Sequence, residues 1–93
     1  MEELISKIRN GGNINLIDIR SSYQFDLGHI PGSLNISRDQ LVFNTSKYLD
    51  KNNIYYIYCQ SGSTSRRVAN ELNYLGYNTI NVDGGYNLYL LMN

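Results

Sequence analysis

At 93 residues, with a formal net charge of zero and only 17% charged side chains, the chain is sized for a single domain over residues 1–93. It has no charge excess to drive binding to nucleic acid or a membrane surface, and neither is expected as a partner. One cysteine excludes an internal disulfide, one cysteine with one histidine cannot close a four-ligand zinc site, and nothing in the chain points to a metal or a cofactor. No apolar stretch approaches the ~20 residues of a membrane span, and residues 1–10 lack the basic-then-apolar layout of a signal peptide, so the expected compartment is the cytoplasm.

Residues 2–9 place Leu4, Ile5 and Ile8 on one helical stripe behind an acidic first turn, with Gly11-Gly12 as the stop. Residues 15–19 (NLIDI) are a short apolar run interrupted by one acid, the pattern of a buried parallel strand. Asp18 and Arg20 fall at its C-terminal end, where open α/β sheets gather their sites, and they read as a hydrogen-bonded pair pinning neighbouring loops. Ser21 or Ser22 caps a one- or two-turn helix through Leu27. Residues 28–36 (GHIPGSLNI) then turn on Pro31 and Gly32 into a second short strand. His29, the only imidazole, is by type the first candidate for a general base, but its place in that turn favours a bracing role. Residues 39–49 carry Leu41, Val42, Phe43, Tyr48 and Leu49 as a helix around a polar break at Asn44, Thr45 and Ser46.

The stretch that organises the chain is residues 54–72, IYYIYCQSGSTSRRVANEL. An apolar strand at 54–58 ends in Cys59, six small or polar residues follow, and a helical pattern begins near Ser65 with Val68, Ala69, Leu72 and Leu75 on one face and Gly76 just past its end. Gly62 leaves the curve unobstructed, so the N–H groups of Gln60, Ser61, Gly62, Ser63, Thr64 and Ser65 can turn inward as an anion-binding nest. The helix start adds its positive end to the same spot. A cysteine at the rim of such a bowl is shifted toward thiolate, the nucleophilic form, and Arg66 or Arg67 is the expected cation. The competing reading is an inert cysteine closing a core strand; a Gly-containing polar loop feeding a helix is poor core material and good anion chemistry. Residues 79–82 form a further β-rich run, Asp83-Gly84-Gly85 makes a turn, and residues 86–92 form a last apolar helix.

Strands alternating with helices predict an α/β domain with a mostly parallel sheet. Four motifs in this order closely resemble the rhodanese-like family: LIDIR at 16–20, FDLGHIPGSLNI at 25–36, IYCQSGSTSR at 57–66 and LGYNTINVDGG at 75–85. The resemblance runs from about residue 4 to residue 90 and implies a three-layer α/β/α domain with four or five short strands, the fifth being an initial edge strand for which Met1 leaves no room. It also implies a sulfurtransferase of the single-domain thiosulfate type. Cys59 would accept a sulfane sulfur as a persulfide, and residues 60–66, including Arg66, would bind the small anionic donor. The sulfur would then pass to a thiol, to cyanide or to a protein acceptor. Asp18, Arg20, His29 and Gly32 take scaffold roles in this comparison. Many members carry Arg where this chain has Thr64, while some single-domain thiosulfate sulfurtransferases have a hydroxyl residue there, then Ser and a basic residue, as in Thr64-Ser65-Arg66. Two other readings compete: a non-catalytic or sulfur-carrier binding module, and a phosphatase or arsenate reductase. The latter enzymes space Cys, five residues and then Arg, and that register lands here on Ser65.

Overall fold

The structure, a computed structural model, describes residues 1–92. Helix α1 (Glu2–Arg9) leads into strand β1 (Asn15–Asp18), followed by α2 (Ser22–Leu27), β2 (Leu34–Asn35), α3 (Arg38–Phe43), α4 (Thr45–Tyr48), β3 (Ile54–Tyr58), α5 (Ser63–Tyr74), β4 (Asn78–Asn81) and α6 (Gly85–Met92). The four strands form one parallel sheet in the order β2-β1-β3-β4. Ile17 of β1 is level with Leu34 on one side and Ile57 on the other, and Ile57 with Asn81, so β1 and β3 finish side by side and deliver Arg20 and Cys59 to the same edge of the sheet.

The pleat sorts the strand residues into two cores. On one face Ile17, Ile19, Tyr55, Ile57 and Cys59 pack with Leu41 of α3, Leu49, and Val68, Ala69 and Leu72 of α5. On the other, Leu16 and Tyr58 pack with Leu4 and Ile5 of α1, with Ile30 and Val82, and with Tyr89 of α6. Helices thus cover both faces, giving the three-layer arrangement expected. No helix among the described residues is long and apolar enough to cross a membrane.

The local chemistry explains each start and stop. Ser21 and Ser37 each close a capping box, with Gln24 and Gln40 respectively, and so fix the first turns of α2 and α3. The helix expected over 39–49 is instead two. Asn44 leaves helical geometry (φ −136°, ψ 42°), and Thr45 Oγ1 donates back to the Leu41 and Val42 carbonyls at 2.9 and 3.2 Å, a side-chain alternative to the helical ladder. Helix α5 starts two residues before the expected Ser65, with Gly62 as its N-cap, and α6 starts at Gly85.

Candidate active site

Cys59 follows β3 directly, and the chain then curls back over its side chain. Gly62, at φ +97°, makes the reversal that puts α5 on course, and a Cβ there would stand 2.8 Å from the Gly84 nitrogen. The curl converges donors on the sulfur: Gly62 N–H reaches Cys59 Sγ at 3.1 Å, Ser65 N–H at 3.3 Å and Ser65 Oγ at 3.3 Å. Gly62 and Ser65 stand in the opening turn of a 12-residue helix, where amide hydrogens have no carbonyl partner within the helix and the dipole is positive. Burial pushes the Cys59 thiol up, but hydrogen bonds from the Ser65 hydroxyl and from the amides of Ser65, Gly62 and Ser61 outweigh it and hold the thiol below its ordinary value.

Several parts of the chain hold that curl in place. The Tyr86 and Asn87 amides of α6 donate to the carbonyls of Cys59 and Gln60, both at 3.0 Å, so these carbonyls face α6 while the loop's amides face the sulfur. This close approach needs Gly85, since a Cβ there would collide with the Cys59 carbonyl oxygen and stand 2.8 Å from that of Gln60. The Gln60 side chain bridges Arg20 Nη1 (3.0 Å) and Asn87 Oδ1 (2.6 Å). Ser65 Oγ lies 2.5 Å from Asn81 Oδ1, and the Asn81 amide nitrogen donates in turn to the Gly62 carbonyl and to Asp83.

Of the residues expected to bind a donor, Gln60, Ser61 and Thr64 line an open pocket at Cys59, with Arg20, Ser21, Gln24 and Arg38 on its other walls. Gly62 and Ser65 serve the sulfur itself, and Ser63 exchanges a 3.2 Å hydroxyl contact with Ser61. Arg66, expected as the cation of the bowl, lies elsewhere: its guanidinium pairs with Asp83 at 3.4 Å, and it is not among the pocket walls. Arg67 lines the adjoining groove with Arg38, Val42, Phe43 and Thr64. Among the described residues, no group of three or more His, Cys, Asp and Glu is placed to hold a metal ion.

Asp18 and Arg20 form the expected scaffold. Arg20 Nη2 donates to Asp18 at 2.7 Å and to the Gly28 carbonyl at 2.7 Å, tying β1 to the turn at 28–32. Burial works against the Arg20 charge, and the Asp18 carboxylate more than offsets it. The guanidinium also stacks 4.3 Å from the Tyr86 ring centroid. His29 stays in the turn, with Nδ1–H donating to the Phe25 carbonyl at 2.8 Å and its ring stacked 3.6 Å from Phe25. Tyr58 supports the same turn from below: its hydroxyl accepts from Ile30 N–H at 3.0 Å and lies 2.9 Å from Ser33 Oγ, and burial raises its pKa. Arg38, Asn81, Gly85 and Asn87 also belong to the site and were not among the expected residues; the paired glycines at 84–85 were the one local signal that a backbone approaches closely there.

The rhodanese-like domain family matches over residues 1–91. The chain is 33% identical to the putative sulfurtransferase YtwF of Bacillus subtilis over 82 residues, covering 88% of this chain and 79% of that one. It is 32% identical to the thiosulfate sulfurtransferase GlpE of Tolumonas auensis, over 76% of this chain and 67% of the relative. Against the adenylyltransferase and sulfurtransferase uba4 of Ogataea parapolymorpha, at 31% identity, it spans only 18% of the relative's length. A rhodanese-like domain protein from Staphylococcus aureus superposes with a TM-score of 0.80 at 31% identity, over 90% of this chain and 81% of that one. The sequence motifs, the four-stranded parallel sheet and these matches together place the chain in the rhodanese-like domain family, among relatives named as sulfurtransferases.

Proposed function

We propose that residues 1–93 act as one cytoplasmic domain that moves a sulfane sulfur, from thiosulfate or a persulfide donor to a thiophilic acceptor, through a persulfide on Cys59. The observation that carries this reading is the convergence of Gly62 N–H, Ser65 N–H and the Ser65 hydroxyl on Cys59 Sγ at 3.1 to 3.3 Å. That environment favours a thiolate before substrate arrives. The thiolate attacks the outer sulfur of thiosulfate. A sulfur–sulfur bond to Cys59 forms, the bond to the sulfonate sulfur breaks, and sulfite departs with the electron pair. The loop amides that hold the thiolate are then close to the terminal sulfur of the persulfide and stabilise its charge. An acceptor thiolate or cyanide attacks that terminal sulfur, and Cys59 leaves again as thiolate. The lowered thiol pKa makes it a good leaving group in this second step.

No proton acceptor is required, in keeping with a His29 engaged in its turn. The phosphatase-like alternative needs a guanidinium six residues after the cysteine, where a fully buried Ser65 stands. GlpE's name supports thiosulfate as a donor, and the name of a further relative, the putative sulfur carrier protein YrkF of Bacillus subtilis, supports a protein as the alternative donor or acceptor. Steady-state transfer from thiosulfate to cyanide tests the proposal: Cys59→Ser is expected to abolish turnover while keeping the far-UV circular dichroism of the parent. Turnover retained in that variant would contradict a cysteine-borne intermediate.

A further inference from the structure

A dianion entering the Cys59 pocket meets oriented amides, but the loop itself brings no side-chain cation to it. The chain has eight cationic side chains, and of these only Arg20 and Arg38 line the pocket. Arg20 is already committed: its Nε and Nη2 donate to Asp18, Nη2 also to the Gly28 carbonyl and Nη1 to Gln60, and its charge is neutralised by a buried carboxylate. Arg66 pairs with Asp83 in a similarly exposed ion pair, but it stands outside the pocket walls. Arg38 differs from Arg20 in each respect. Its guanidinium is 56% exposed and meets only the still more exposed Asp39, at 2.9 Å, a solvent-screened ion pair that is readily exchanged for another anion. Its backbone is fixed where the guanidinium can serve the pocket, because Arg38 N–H donates to the Ile19 carbonyl at 3.0 Å and the Ser37–Gln40 capping box sets the turn that carries it.

We infer that Arg38 is the donor-anchoring residue of this site: released from Asp39, its guanidinium binds the anionic leaving portion of the sulfur donor, the sulfonate of thiosulfate or the carboxylate of a small organic persulfide. This rests on the sulfurtransferase reading and adds a specificity for donors with an anionic group beside the sulfane sulfur. Arg38 supplies the cation that the loop lacks at Thr64. Asp39 competes with the donor for it.

Two measurements test the assignment. In the first, thiosulfate kinetics, Arg38→Gln raises KM about tenfold, the scale of one charge-assisted hydrogen bond, and leaves kcat within about twofold. Arg38→Lys recovers part of the loss and Asp39→Asn lowers KM. Arg9→Gln on α1, outside the pocket, controls for the change in net charge and leaves KM unmoved. In the second, the ratio of Cys59 alkylation rates by anionic iodoacetate and neutral iodoacetamide falls in Arg38→Gln, and this readout needs no sulfur transfer. If the parent protein takes no sulfur from thiosulfate while the alkylation ratio still falls, the donor reading fails and the anion-binding role of Arg38 stands. An unchanged ratio in folded Arg38→Gln overturns the inference, as does an unchanged thiosulfate KM.

Discussion

The Ser65 hydroxyl has one proton and three acceptors within reach: Cys59 Sγ, the Gly62 carbonyl and Asn81 Oδ1. When the thiol ionises, the sulfur becomes the charged acceptor and draws that proton, so Ser65 works as a donor tuned to the thiolate. Ser65→Ala is therefore expected to move the pH midpoint of Cys59 alkylation upward, and an unmoved midpoint would assign the tuning to the amides alone. The sign carries over to stability. A thiol whose folded pKa is depressed stabilises the native state at pH above the unfolded value of ~8.5, and that contribution is lost as pH falls through the folded value. Cys59→Ser removes this pH dependence from the unfolding free energy. His29 belongs to the opposite class of residue. Losing its bond to the Phe25 carbonyl and its ring stack, His29→Gln is expected to cost about 1 to 2 kcal/mol of stability with transfer activity preserved per folded molecule. A loss above ~10²-fold in rate with an unchanged melting curve would mark general acid–base catalysis instead.

At the level of elements, the site is the meeting of two helix starts. Helix α5 turns its first amides toward the sulfur, and α6 uses its own to hold the carbonyls of Cys59 and Gln60 away from it. Gly85→Ala should break this arrangement, because the added methyl collides with the Cys59 carbonyl oxygen and the loop must shift to relieve it. A displacement of about 1 Å at a reacting atom can lower the rate on the order of 10²-fold, so the variant is expected to lose most sulfur transfer while circular dichroism reports a folded protein. Full activity would show that the loop does not depend on α6. The cysteine, the glycine turn and the helix that follows were readable in the sequence because they are contiguous in the one stretch 54–72. The α6 contribution was not, because Gly85 and Asn87 reach the loop only through the β4 crossover. Arg66 was misplaced for a related reason. Successive helix residues turn by ~100°, so once Ser65 faces the sulfur its neighbour points away, toward Asp83. Chain order alone does not reveal that rotation.

In the whole molecule, the parallel sheet decides what the site contains. Because β1 and β3 run together and end level, the Asp18–Arg20 pair stands beside the cysteine loop and braces it through Gln60, while the β1–α3 contact at Ile19 and Arg38 sets the far wall. The strand pattern and the order of motifs were enough to anticipate the sheet, since the short apolar runs at 15–19, interrupted by Asp18, and at 54–58 are each followed by a polar turn and a helix. Arg38 was hidden by distance in sequence: 21 positions before Cys59, it joins the site only because β2 lies against β1 and α3 folds back over the edge. The mechanism requires this edge to hold a sulfur on Cys59, and mass spectrometry of the intact protein after incubation with thiosulfate and removal of excess donor detects it. The expected result is a gain of one sulfur atom, localised to Cys59 by peptide mapping, removed by cyanide or dithiothreitol and absent from Cys59→Ser. An unmodified protein under conditions where sulfite is released, or the added sulfur in Cys59→Ser, would contradict it.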